Sequence, residues 1–382
     1  MMYNALMFSE HIPAPHWIAT PFALQNLAEE LTRWPRLAVD TESNGLHAYR
    51  ERVCLIQFST PEADYLVDPL ALEDLSPLAL VFANPKIEKV FHAAEYDLLG
   101  LKRDFGFQVV NLFDTMQSAR ILGYPQVGLD ALLGQKFGLK VDKRFQKANW
   151  GQRPLPADLM NYARLDTHYL LALRDLLEAE LQKRDLFLLA RDDFSLLAQP
   201  EEPRNGRAML WQRAARQYHL TPRQRTILSA LAQAREELAH RYDRPVFKII
   251  RDDLLVELAC QSPHDKRGLF NAGLTSRQVE YFGAELLQAI HKGREMTIVQ
   301  MPPAVQPDPL FSNRLRALGA WRKKIARKMG VDSDVVLPRR YLEGLAQNPP
   351  HDLAALAEMM RLSPWRFHRF GEEILSVLGV GR

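Results

Sequence analysis

Five side chains are spaced so that they could do chemistry together. The run Leu37-Ala38-Val39 has strand character and ends in Asp40-Thr41-Glu42, two carboxylates separated by one residue. Side chains alternate along a strand, so Asp40 and Glu42 share a face roughly 6–7 Å apart, while Thr41 points the other way. Two like charges at a buried strand end repel, and a divalent cation would give them a reason to be there. A solvated strand end is the alternative. The second site is Asp97, which follows the strand-like Val90–His92 within the first turns of a helix, where Glu95 and Asp97 also suit simple capping. The third site is Tyr162…Asp166, four apart and therefore stacked on one face of a helix expected over Ala157–Lys183, together with Leu159, Leu170 and Leu173. A buried aspartate needs a metal, water or a distant cation, and Tyr162 could simply donate a hydrogen bond to it.

The elements that must carry these residues follow from periodicity. Thr20-Pro21 caps a helix with Phe22, Leu24, Leu27, Ala28 and Leu31 on one face. Strands are predicted over Arg52–Thr60 and Asp64–Asp68, so three early strands joined by short turns form an antiparallel meander. Then come a helix (Glu73–Phe82), a strand (Lys89–His92), a helix (Glu95–Phe105) and a short strand (Val109–Leu112). A meander giving way to α/β alternation indicates a mixed sheet with helices on its faces.

Composition bounds the rest. The chain has 382 residues, enough for two or three domains, with 47% hydrophobic and 25% charged residues, ordinary for a globular protein. No run approaches the ~18 apolar residues of a membrane span, and Met1–Trp17 lacks the pattern of a signal peptide. Cys54 and Cys260 sit in apolar settings and read as buried thiols of a reducing compartment, so a cytoplasmic location is expected. Charge is uneven. Residues 1–195 hold 20 Lys+Arg against 26 Asp+Glu, and residues 196–382 hold 29 against 20. The basic half suggests a polyanionic partner, although segregation of this size can be incidental.

The basic half contains an internal repeat. Ala230-Leu231, Arg235, Ala239, Leu255, Leu258-Ala259 and Pro263-His264-Asp265 recur 87 positions later as Ala317-Leu318, Arg322, Ala326, Leu342, Leu345-Ala346 and Pro350-His351-Asp352. Phe282-Gly283 returns as Phe370-Gly371. Each copy is all-helical by pattern and large enough to fold alone. Proline-bearing stretches at 199–206 and 300–309 read as linkers. The division expected is 1–198, 207–294 and 309–382. In the second copy Lys323, Lys324 and Lys328 lie within two turns of one helix, either a solvated face or a phosphate contact.

The acids in chain order, with Tyr162 four residues before the last, resemble the tyrosine branch of the DEDD exonuclease superfamily. Val53–Phe58 (VCLIQF), Phe91–Asp97 (FHAAEYD), Asn111–Thr115 (NLFDT), Asn149–Pro156 (NWGQRPLP) and Tyr162–Leu170 narrow the resemblance to the ribonuclease D family over residues 16–190. The first helical copy, with Arg244-Pro245-Val246-Phe247, resembles the HRDC domain, and a tandem pair is the family's arrangement. The resemblance implies an α/β, ribonuclease H-like mixed-sheet domain followed by two small all-α HRDC-like domains. It also implies a two-metal 3′→5′ exoribonuclease that releases nucleoside 5′-monophosphates from structured RNA such as tRNA precursors. Two Mg²⁺ or Mn²⁺ ions roughly 3.5–4 Å apart would be held by Asp40, Glu42, Asp97 and Asp166, with Tyr162 positioning the attacking water. Gln57, His92, Trp150 and Arg153 are candidates to touch substrate or to support the ligands. Ser43 departs from the aromatic that relatives often carry there, which alters stacking on the terminal base. A DNA exonuclease and a non-catalytic nucleic-acid scaffold are the alternatives, because the metal site itself reads neither sugar nor base. No membrane and no obligate protein partner is implied.

Overall fold

The computed structural model describes residues 12–140, 144–199, 210–300 and 308–379, so most of both proline-bearing stretches lies outside the described residues. At its centre is a six-stranded sheet of order β1-β4-β3-β2-β5-β6. The strands are β1 (His16–Ile18), β2 (Arg36–Ser43), β3 (Val53–Ser59), β4 (Asp64–Val67), β5 (Glu88–Phe91) and β6 (Leu112–Asp114). β3 and β4 are antiparallel, while β1–β4, β2–β5 and β5–β6 are parallel, giving the mixed sheet.

Several local expectations need correction. β1 is too short for alternation to reveal it. β6 lies further along than Val109–Leu112, because its register is set by β5, with Lys89 opposite Leu112 and Phe91 opposite Asp114. The first helix, α1 (Pro21–Leu31), buries Leu24, Leu27, Ala28 and Leu31 but leaves Phe22 exposed. α2 starts at Ser76 rather than Glu73 (Ser76–Phe82), whereas α3 (Glu95–Phe105) has the expected bounds. Two short helices, α4 (Thr115–Ile121) and α5 (Leu129–Phe137), follow β6. Cys54 is buried, but Cys260 is exposed.

The helix expected over Ala157–Lys183 is two helices, α6 (Ala157–His168) and α7 (Leu170–Lys183), separated at Tyr169. No glycine or proline marks the break. Its consequence is a divided core: Leu159 and Tyr162 pack with Cys54, Leu55 and Trp150, while Leu170 and Leu173 join the main core behind the sheet. α6 is fixed to the sheet by polar contacts. Ser59 Oγ lies 2.7 Å from Thr167 Oγ1 and donates to Asp64 Oδ1 at 2.6 Å, and His168 Nδ1 faces the Asp64 carboxylate at 2.8 Å. Beyond α7 come α8 (Phe187–Leu197) and, ahead of the first helical copy, α9 (Leu210–Gln217).

The two helical copies repeat element by element. The first holds α10 (Pro222–Arg241), α11 (Val246–Ile249), α12 (Asp252–Gln261), α13 (Lys266–Asn271) and α14 (Ser276–Glu295). The second holds α15 (Pro309–Met329), α16 (Ser333–Val336), α17 (Arg339–Gln347), α18 (Leu353–Met359) and α19 (Pro364–Leu378). The repeated polar residues have repeated jobs. Arg235 Nη1 donates to Ile250 O, and Arg322 Nη1 donates to Leu337 O, 87 positions on. Asp265 and Asp352 each cap the N-terminus of the following helix, at 2.7 Å from Gly268 N and Ala355 N.

The chain forms two compact units, which cut across chain order. One comprises Met1–Glu42, Val53–Pro200 and Gln306–Arg382, and so holds the sheet domain with the second helical copy. Within it, Arg366 of α19 is fully buried against Asp192 and Asp193 of α8, with Nη2 2.6 Å from Asp193 Oδ1. Asp192 also accepts the Arg366 N–H at 2.9 Å. The other unit comprises Ser43–Arg52 and Glu201–Val305. There Tyr49 donates through its hydroxyl to Glu236 Oε2 and through its N–H to Asp243 Oδ1, both at 3.0 Å, and its ring meets His240 edge-on. No helix among the described residues is long and apolar enough to cross a membrane.

Candidate active site

The pleat of β2 puts Asp40 and Glu42 on one face, and the docking of α6 on β3 and β4 brings Asp166 to them. Each of the three offers a carboxylate oxygen, and these oxygens lie within 4.8 Å of one another. All three residues are half-buried. Among the described residues no lysine or arginine pairs with any of them, or with Asp97.

Their electrostatics follow. Burial holds the Asp40 carboxyl well above its ordinary range, and repulsion from Asp97, Asp166 and Glu42 raises it further. Glu42 is raised by the same causes, burial first and then Asp166 and Asp97. Burial pushes Asp166 up to about 7. A cluster of hard oxygen donors that repel one another and lack a cationic partner fits divalent metal ions well.

Asp97 is not in that close cluster. It sits at the third position of α3, buried, with burial pushing it up to about 7 against the pull of Thr41. What Thr41 meets is Asp97 itself. Its hydroxyl donates to Asp97 Oδ1 at 2.5 Å, and its N–H reaches the same oxygen at 3.1 Å.

Tyr162 precedes Asp166 by one turn of α6 and is buried. Its ring lies between Phe145 (centroids 5.8 Å apart, near edge-on) and Trp150 (6.1 Å, tilted 30°). The other sequence candidates take supporting places. Trp150 and Gln57 are closed to solvent, which suits the supporting role among the two expected of them. Arg153 is held by protein partners. Its guanidinium donates to both Asp68 oxygens, Cys54 O, Trp150 O and Gln152 O, which takes every N–H it has. Burial lowers His92 to about 4, so it is neutral at pH 7, and its Nδ1 is 2.9 Å from Thr115 Oγ1. It offers no positive charge to a phosphate. Ser43 Oγ donates to Glu51 Oε1 at 2.9 Å.

Two supporting residues escaped the sequence reading. One is Thr41. The other is Asp114, fully buried, which accepts from Ala94 N at 2.7 Å and Gln117 N at 2.8 Å. It caps α4 and at the same time fixes the start of α3, and so the place of Asp97. The strand-then-cap signature Leu-Phe-Asp-Thr was visible; its second bond, across to Ala94, was not.

The sheet, the acids and the helical tail define a class: a DEDD-type 3′-5′ exonuclease domain followed by HRDC domains. A 3′-5′ exonuclease family model matches residues 15–182, and the HRDC model matches twice, at 224–290 and 311–378. The chain is 30% identical to ribonuclease D of Haemophilus influenzae over 328 residues, which span 84% of this chain and 81% of that protein. The chain belongs to the ribonuclease D family. The crystal structure of Escherichia coli RNase D superposes with a TM-score of 0.70 at 25% identity, covering 96% of this chain and 99% of that one. Similarity extends to the yeast exosome complex exonuclease RRP6, 33% identical over 287 residues, which is 69% of this chain but only 39% of RRP6. The chain thus spans well under half the length of that exosome relative.

Proposed function

We propose that this chain is a two-metal-ion 3′→5′ exoribonuclease acting on the 3′ ends of structured RNA, with tRNA precursors as the natural class. The observation that carries this is the convergence of Asp40, Glu42 and Asp166 within 4.8 Å, without a cationic partner among the described residues and one helical turn from Tyr162. The solved E. coli relative is described as an exoribonuclease involved in structured RNA processing, which supports the substrate class.

Mg²⁺ or Mn²⁺ ions, when bound, supply an activated water and neutralise charge at the leaving 3′-oxygen. Asp40, Glu42 and Asp166 would hold them, with Asp97 completing the set from α3. The Tyr162 hydroxyl orients the attacking water, and the ring's packing against Trp150 and Phe145 keeps that hydroxyl in place. Asp114 and Thr41 are positioning residues that act through Asp97. Lys323, Lys324 and Lys328 are exposed on α15 without an ionic partner among the described residues, as a phosphate contact requires. The protein works in the cytoplasm without an obligate protein partner.

The test is incubation of the full chain with 3′-tailed tRNA and matched single-stranded DNA, with Mg²⁺, Mn²⁺ or EDTA. Stepwise release of 5′-mononucleotides from RNA, abolished by EDTA and by Asp40→Asn, is expected. Faster degradation of DNA would move the assignment to a DNA exonuclease, and no degradation of either would leave a binding scaffold.

A further inference from the structure

The sheet domain and the second helical copy leave a cavity of about 770 Å³ where they meet. Its apolar lining comes from Leu98 of α3, Phe107 and Val109 of the run before β6, Leu112 of β6 and Phe194 of α8. Leu362, between α18 and α19, adds the contribution of the second copy. Two cations share this lining, Lys102 of α3 and Arg191 of α8. Both are exposed, and among the described residues neither has an ionic partner.

No acid lines the cavity among the described residues. The acids nearest in sequence are engaged elsewhere. Asp104 accepts from the Arg103 guanidinium at 2.7 and 2.9 Å, and Asp192 and Asp193 turn to Arg366. Uncharged polar groups complete the lining. Gln108 and Gln199 are exposed, and their amides meet no partner among the described residues. Asn111 gives one N–H to Pro85 O at 3.0 Å, which leaves its amide oxygen to accept.

Each part of the lining narrows the ligand. Two cations without a counter-charge call for an anion, in number suited to a mono- or diphosphate. A bare inorganic anion would leave the apolar walls unused. A simple apolar anion such as a fatty acid would desolvate the amides without pairing them. A flat, largely apolar ring with donors and acceptors on its edge, joined to a phosphate, uses all three. The volume falls in the ~300–1,000 Å³ range of small-ligand clefts, and junctions between domains are where such clefts concentrate. We infer that this cavity binds a free nucleoside phosphate. The base lies against the apolar walls, its edge meets the amides, and the phosphate is held by Lys102 and Arg191. None of Asp40, Glu42, Asp97, Tyr162 and Asp166 lines the cavity, and the inference does not rest on the exoribonuclease reading.

The experiment is calorimetric titration of the full chain in EDTA, which keeps nucleotides from reaching the carboxylate cluster through metal. AMP and UMP serve as probes, with adenosine, uridine and inorganic phosphate beside them. At least one of the two nucleotides should bind, about 10-fold or more tightly than its nucleoside or phosphate alone. Lys102→Gln combined with Arg191→Gln should weaken that nucleotide about 10-fold or more and leave the nucleoside unchanged. Gln108→Ala should weaken the nucleotide about 5-fold and leave inorganic phosphate unchanged. All three are exposed positions, and melting temperatures check that each variant is folded. Nucleotides that bind no better than phosphate would overturn the site, as would undiminished nucleotide binding in both variants. An oligoadenylate of ~12 nucleotides that displaces the bound nucleotide would also overturn it, because the cavity would then belong to a bound RNA chain.

Discussion

Thr41 Oγ1 lies 2.5 Å from Asp97 Oδ1, and the Thr41 N–H reaches the same oxygen at 3.1 Å. The residue between the two strand carboxylates thus holds the helix carboxylate. Asp40 and Glu42 face Asp166, while their neighbour secures Asp97. A single strand of alternating side chains therefore organises all four acids.

Thr41→Val keeps the side-chain shape and removes the hydroxyl donor, leaving only the N–H. A donor to the charged form lowers a pKa, so its loss should lift Asp97 above about 7. The acidic limb of the rate profile should move to higher pH, and kcat near neutrality should fall about tenfold. Superimposable pH–rate profiles at saturating Mg²⁺ would count against this coupling.

Without metal, the raised carboxyls make stability depend on pH. Asp97 and Asp166 stand at about 7 against an ordinary 3.8, so their protonated forms favour the fold. Their contribution is full below about pH 4 and is lost as pH rises through about 7. In EDTA the melting temperature should fall across that window, and Asp97→Asn should make the fall shallower. Mg²⁺ should raise the melting temperature more at about pH 8 than at about pH 5, because protons compete with the ion. An equal rise at both would argue that Mg²⁺ binds elsewhere.

Tyr162→Phe deletes one hydroxyl and keeps the ring between Phe145 and Trp150. Stability should change by only ~1 kcal/mol, while kcat falls about 10²-fold with KM nearly constant. Trp150→Phe, by loosening the ring's packing, should lower kcat and melting temperature together. If Tyr162→Phe lost stability but kept kcat, the hydroxyl would be structural.

Arg366→Met leaves Asp192 and Asp193 buried without their cation, at a cost of about 3–5 kcal/mol by urea titration. Adding Asp192→Asn and Asp193→Asn should recover much of that loss. If the triple variant were as unstable as Arg366→Met alone, packing rather than charge would set the cost. Val335 of the second copy lies in the main core, with Met329, Val331 and Trp365 packed against it. Ending the chain near Gln199 would strip that cover, so point changes are the cleaner probe.

Reversing Lys323, Lys324 and Lys328 to Glu should raise KM on tRNA-sized RNA and flatten its salt dependence by about 0.7–0.9 for each phosphate involved. Cleavage of a very short oligonucleotide should keep its kcat. An unchanged salt slope would assign α15 to a solvated face.

The chemistry was legible in the sequence because it is local. The one-residue spacing of Asp40 and Glu42 fixes a shared face on any strand, and the four-residue spacing of Tyr162 and Asp166 fixes a shared face on any helix. The bounds of α3 and the 87-residue repeat were readable for the same reason, as was the resemblance carried by short motifs. What the tertiary structure decided is what depends on partners distant in sequence. The strand at Leu112–Asp114 takes its register from β5, the break at Tyr169 has no glycine or proline to announce it, and Thr41 meets Asp97 from 56 residues away. That Asp68, 85 residues before it, takes the Arg153 guanidinium is likewise beyond any local pattern. The separation of Tyr162 from Leu170 into different cores goes with that same break. Periodicity states which residues share a face; only the packed chain states what that face meets, because pairing energy depends on distance in space and not along the sequence.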